Sequence, residues 1–185
     1  MNPIRIIDEF ADRAGRRLSG HGRVGIAIWL AGTACDVALL STLAIDVARR
    51  PSTRSISRLV VPLGLERALV HGVGPLIDRD RPASRFRRPA DLAPSSSSLP
   101  SGHTSNAFAA STLLAPTERT WLVTALAVGA ATSRVLLRVH RVSDVVVSAA
   151  AGILAGRAMN RWTPDPSVED HLADLDQHDD RPTTA

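Results

Sequence analysis

Apolar residues recur at helical spacing near the start of the chain: Ile4, Ile7, Phe10, Ala11, Ala14 and Leu18 fall together, with Arg13, Arg16 and Arg17 opposite them. The pattern predicts an amphipathic helix within Met1–Arg23, suited to lying at a membrane surface. The segment does not read as a secretory signal, having neither a compact apolar centre after a short basic start nor a small-residue cleavage site. From Val24 to Ala48 the pattern becomes a nearly continuous apolar run, long enough to cross a hydrocarbon core, with Trp29 near one end. Asp36 interrupts this run at mid-depth and Asp46 near its end. A carboxylate at the centre of a bilayer costs roughly 2.5–3.5 kcal/mol on insertion scales, so Asp36 is expected to face protein. A polar, basic turn is expected over Arg49–Arg58, then a second apolar run over Leu59–Ile77. The adjacent Glu66 and Arg67 within that run are expected to look inward as well.

Asp78–Ser98, with its arginines, prolines and serine run, predicts a loop. Three further helices are expected: Gly102 to about Ala115, stopping before Pro116; about Glu118 to Arg138; and Asp144 to about Asn160. They are rich in alanine and glycine, which allow helices to approach closely. The stretch from Trp162 to Ala185 carries seven acidic residues and three prolines and little that is apolar, and is expected to be a disordered tail after residue 161. Loop and tail dilute the mean hydropathy to +0.04; the separate runs nevertheless predict an all-α, membrane-embedded helical bundle of about five core helices plus the N-terminal amphipathic helix. The 185 residues suit one domain, here 24–161, flanked by the N-terminal segment 1–23 and the tail 162–185.

Composition narrows the chemistry. All 22 basic residues are arginine, which excludes an amine nucleophile or a Schiff base and supplies permanently charged forks suited to phosphate oxygens. Cys35 is the one cysteine and lies in an apolar segment, so it reads as packing and leaves no intrachain disulfide. The basic balance does not point to nucleic acid, because aromatic residues are 3% of the chain and stacking platforms are missing.

The stretch Leu99-Pro100-Ser101-Gly102-His103-Thr104 opens a helix with a serine at the capping position and a glycine that admits a ligand close to backbone. Free N–H groups and the positive end of the dipole make such a helix start an anion site. If successive helices alternate in direction, this start lies beside Arg81-Pro82, Ser133-Arg134, and His140 with Asp144. Two arginines, two histidines, a carboxylate and a helix N-terminus together describe a site for phosphoryl transfer.

The order Arg-Pro, then Pro-Ser-Gly-His, then Ser133-Arg134, five residues, His140, three residues, Asp144 resembles the signature of the type 2 phosphatidic acid phosphatase superfamily. The resemblance covers roughly Leu65–Gly156 and implies an all-α core with metal-independent phosphomonoester or diphosphate hydrolysis, mostly on lipids. It implies no cofactor, and as partners a membrane lipid bearing phosphate or diphosphate and the bilayer itself. By position His140 is the expected nucleophile, Asp144 the group that orients its ring, and His103 the acid that protonates the leaving oxygen. Arg81, Arg134, Ser101 and the Gly102 N–H are expected to hold the phosphoryl oxygens. A cell-membrane, multi-pass location with the site on the extracytoplasmic side is implied too.

One departure stands out. The superfamily's first motif opens with a lysine seven residues before its arginine, and here that position is Gly74. Arg79, Arg67 and His71 are candidate substitutes, Arg79 being nearest in sequence; the alternative is a non-catalytic membrane protein that keeps the fold. A metal site built on the histidines is disfavoured by the neighbouring arginines, and a serine hydrolase on Ser101 by the lack of a Gly-x-Ser-x-Gly elbow. The vanadium-dependent haloperoxidases of the same superfamily are larger, soluble proteins.

Overall fold

The computed structural model describes residues 3–19, 22–49, 51–82, 97–115 and 120–162. Among them the chain is helical, without strands: α1 (Pro3–Ser19), α2 (Gly22–Arg49), α3 (Thr53–Ala68), a π-helical turn (Leu69–Val73), α4 (Gly74–Ile77), α5 (Gly102–Leu114), α6 (Thr120–Leu136) and α7 (Val142–Trp162). Three stretches are long and apolar enough to cross a membrane: Gly22–Arg49, Ser55–Ile77 and Val142–Trp162. The expected tail beyond Trp162 and the loop arginines Arg85, Arg87 and Arg88 lie outside the described residues.

The second span starts earlier than its hydropathy suggests, at Thr53 rather than Leu59, because Ser52 caps it by accepting a hydrogen bond from the Ser55 N–H at 3.0 Å. The span continues through the π turn, where Gly74 N–H donates to Leu69 O, five residues back. Pro75 follows immediately. It has no N–H to give and its ring would crowd the carbonyl four residues earlier, so a widened turn there relieves the conflict. Glu66 turns inward as expected, but the Arg67 side chain is 77% exposed. Neighbours on a helix point about 100° apart, so the pair cannot share one face.

α5 is the centre of the bundle, with α2, α3, α6 and α7 around it. Its exposed backbone faces are covered by close approach. Gly152 of α7 lies so near α5 that a Cβ would stand 2.2 Å from Ser105 O, and one on Gly156 would stand 2.7 Å from Thr112 Cβ. The Gly-x3-Gly spacing therefore acts as a seam between helices, held by packing rather than by water's exclusion. The core it closes is small and aliphatic, with Ala107, Ala110, Ala127 and Ala130 filling in around Leu39, Leu43 and Leu113. Larger apolar residues such as Val60, Val146, Val147 and Leu154 point outward, the arrangement expected of a bundle solvated by lipid. Together the fold is an all-α membrane bundle.

Hydrogen bonds fix which helix ends meet. At one end Arg58, near the start of α3, donates to Leu113 O at 2.8 Å and to Asn160 Oδ1 at 3.2 Å, while Asn160 Nδ2 donates to Thr112 O at 3.1 Å. A cation thus sits on the open carbonyls of the α5 C-terminus, where the dipole favours it. At the other end Arg81, beyond α4, reaches Val139 O at 2.9 Å, beyond α6. The end of α4, the start of α5, the end of α6 and the start of α7 therefore converge. α1 docks on α6 and α7 by a polar face, through Asp8, Asp12 and Gly15, and leaves Ile4, Ile7, Phe10 and Leu18 exposed.

Candidate active site

Two backbone turns place the site. Asp78 adopts a left-handed conformation (φ 42°) that ends α4 and redirects the chain, and Arg138 does the same (φ 57°) after α6. Without glycine, each costs roughly 1–2 kcal/mol. At Arg138 the reversal folds the chain back so that Val139 and His140 N–H both donate to Arg134 O, at 3.1 and 3.3 Å. Its side chain is held in turn by Asp12 of α1, Nε to Oδ1 at 2.6 Å, and packs against buried Gly15. Residues after α4 and before α5 are zipped together: Ser98 N–H donates to Arg79 O at 2.7 Å, and Arg79 N–H to Ser97 Oγ at 3.0 Å.

His140 is buried by this arrangement. Its Nδ1 donates to the Ser98 carbonyl at 2.6 Å, and its Nε2 lies 3.4 Å from Arg81 Nη1. With the proton fixed on Nδ1, the Nε2 lone pair faces the guanidinium. Burial, then the Arg81 charge, push the imidazole down to about 3 against the opposing Ser98 bond, with smaller lowering contributions from Arg134 and His103. The ring is therefore neutral at physiological pH. His103, exposed in the first turn of α5, is close enough for its charge to be felt there.

Asp144, expected to orient the His140 ring, has other hydrogen-bond partners here. Ser98 holds the His140 ring, whereas Asp144, with 0% exposure, accepts from the Arg79 guanidinium and from Arg141 N–H at 2.8 Å. It sits three residues into the turn that opens α7, so its carboxylate caps that turn and clamps Arg79. Arg79 also donates to Ser143 Oγ at 3.0 Å and meets Asp8 Oδ2 at 3.5 Å. The candidate replacement for the missing lysine is thus already paired with two carboxylates.

The expected oxyanion holders come to the same end of the bundle. Arg81 donates to Val139 O and to Ser97 O at 3.2 Å. Arg134 is 2% exposed; its Nη2 donates to Asp36 Oδ2 at 2.8 Å, and its Nε has no partner. Ser101 occupies the capping position of α5 without capping it. Its hydroxyl pairs with Thr104 Oγ1 at 3.0 Å and its N–H donates to Ser148 Oγ at 2.7 Å. The N–H groups of the first turn are consequently not taken up by that side chain. Ser98 Oγ is a second buried polar atom with no partner at this end. Such orphaned donors are what an incoming oxyanion satisfies. Among the described residues no three His, Cys, Asp or Glu gather as a metal site needs.

A cavity of about 440 Å³ opens beside His140, between α1 and the two turns, lined by Asp8, Asp12, Arg79, Arg138 and Arg141. Sequence reasoning missed α1 as a wall of the site, together with Asp8, Asp12, Asp36 and Ser98. Only Asp36 left a signal, as a carboxylate inside an apolar span.

Two solved structures share the architecture. A transmembrane PAP2-type phosphatidylglycerolphosphate phosphatase from Bacillus subtilis superposes with a TM-score of 0.68 at 22% identity, over 88% of this chain and 87% of that one. LpxE from Aquifex aeolicus gives 0.61 at 24% identity, over 80% and 92%. No curated protein matches the chain in sequence. Residues 56–167, more than half of the chain and spanning every motif assembled at this site, match the PAP2 superfamily, and the chain belongs to it.

Proposed function

We propose that this PAP2-superfamily phosphatase removes phosphate from a membrane lipid monoester or diphosphate through a phosphohistidine on His140. The observation that carries the reading is the buried, neutral imidazole with Nδ1 anchored on Ser98 O and Nε2 turned toward Arg81. In the first step the Nε2 lone pair attacks phosphorus in line, the P–N bond forms, and the P–O bond to the lipid breaks. The leaving oxygen takes a proton from His103. In the second step water attacks phosphorus, His103 takes its proton, and the P–N bond breaks to release inorganic phosphate. Arg81, Arg134, the Ser101 hydroxyl and the Gly102 N–H neutralise the equatorial oxygens, so the charge that develops is met by donors already in place. Asp144 keeps Arg79 and the turn carrying His140 in register. The lipid-facing exterior supports a substrate with an apolar chain, whose polar headgroup enters beside α1. The reading puts the catalytic end on the extracytoplasmic face, which cysteine labelling from each side of the membrane checks.

The second reading, a fold retained without turnover, is favoured by Gly74 in place of the superfamily lysine and by the prior pairing of Arg79. Phosphate release from a lipid phosphate by the purified protein, lost in His140→Ala, separates the two. Release that persists in His140→Ala contradicts the proposed nucleophile, and no release from the parent chain favours the second reading.

A further inference from the structure

One carboxylate that the mechanism does not use stands against its oxyanion cradle. α3 approaches the start of α5 so closely that a Cβ on Gly102 would lie 1.9 Å from Glu66 Oε1 and 2.8 Å from Glu66 Cδ. The Glu66 side chain is 14% exposed, and its neighbour Arg67, 3.6 Å away, is a solvent-facing cation that compensates little. Gly74, further along the same span, faces the same turn: a Cβ there would be 3.7 Å from Leu99 O and 3.9 Å from Pro100 Cδ. Where the superfamily pattern supplies an ammonium to this turn, the chain supplies no charge at all, and nearby it supplies a negative one.

We propose that Glu66 is the residue that sets the charge selectivity of the phosphoryl site. Its carboxylate shares the α5 N-terminal cradle with the bound phosphoryl group and opposes binding in proportion to that group's negative charge. A singly charged phosphoryl group is therefore held more tightly than a doubly charged one, whether it is borne by a lipid or is free inorganic phosphate. The inference rests on the phosphatase reading for where the phosphoryl group binds, and not on turnover.

The test is binding of inorganic phosphate to the purified full chain in detergent, by isothermal titration calorimetry at about pH 5.5 and about pH 8.5, on either side of the second phosphate ionisation. Glu66→Gln removes the charge at nearly constant shape, and Glu66→Asp withdraws it from Gly102 by one methylene. At the higher pH, Glu66→Gln is expected to bind phosphate roughly tenfold tighter than the parent chain, since a unit charge within a few ångströms is removed at an effective dielectric well below that of water. At the lower pH, where the phosphate carries half that charge, the gain shrinks to about threefold. Glu66→Asp gives an intermediate gain and decides the matter should Glu66→Gln fail to fold. Phosphate affinity at high pH that is unchanged or weaker in whichever variant folds overturns the assignment. Failure of the parent chain to hydrolyse lipid phosphates overturns the catalytic reading instead, since this measurement needs no turnover.

Discussion

Replacing Asp36 by alanine isolates the electrostatics on which the site rests. Arg134 is held by Asp36 Oδ2 at 2.8 Å, is 2% exposed, and cannot shed its proton to escape burial. In Asp36→Ala its guanidinium remains charged with no counter-ion, on top of an Nε that has no partner in the parent chain. Removing one member of a buried pair costs about 3–5 kcal/mol, whereas replacing both by apolar groups is often neutral or stabilising. Unfolding in mixed detergent micelles is therefore expected to show a loss of about 3–5 kcal/mol for Asp36→Ala and a much smaller one for Asp36→Ala/Arg134→Leu, a coupling of about 2 kcal/mol or more. A bound oxyanion would supply the missing counter-charge, so saturating phosphate should stabilise Asp36→Ala more than it stabilises the parent chain. A single variant within about 0.5 kcal/mol of the parent, or a double variant no better than the single, refutes the reasoning.

Gly152→Val should separate α5 from α7, because its Cβ would stand 2.2 Å from Ser105 O; a loss of about 3 kcal/mol and of a monodisperse species on size exclusion is expected. Gly74→Ala, by contrast, meets only ordinary contacts within a helix and should stabilise by about 0.5–1 kcal/mol in the same unfolding assay. With the His140 imidazole at about 3, Nε2 keeps its lone pair on acidification from neutral pH, and kcat/KM for lipid phosphate should fall only as the pH drops through about 3. An acid limb near the ordinary histidine value of about 6.5 in the parent chain would contradict this, whereas a variant that exposes the ring should move the limb up toward that value. Asp12→Ala releases Arg138 from the ion pair that holds its left-handed turn, so kcat should fall roughly tenfold with KM little changed; an unchanged kcat would detach α1 from catalysis.

The clustering of Arg81, His103, Arg134 and His140 was readable because it depends only on helices alternating in direction, and motif spacing marks each helix end. The spans were readable from hydropathy, except where a local device overrode it: the Ser52 cap lengthened α3, and the π turn before Pro75 has no pattern of its own in the letters. What could not be read lies in partners chosen by tertiary contact. The group on the His140 ring is a backbone carbonyl, which any residue at position 98 carries, so no side-chain letter marks it. Asp8 and Asp12 look like solvated charges on an amphipathic helix until α1 is seen docked by that face. Glu66 and Arg67 look like a pair until helical geometry sends them to different sides.

The most direct test of the account is a rapid-quench reaction of the purified protein with a phosphate-labelled lipid, followed by mapping of any covalent label. The account predicts an acid-labile phosphoryl group on His140 that forms and decays within turnover and is lost in His140→Ala. Full turnover with the label on another side chain, or with no protein-bound label at any time, would contradict it.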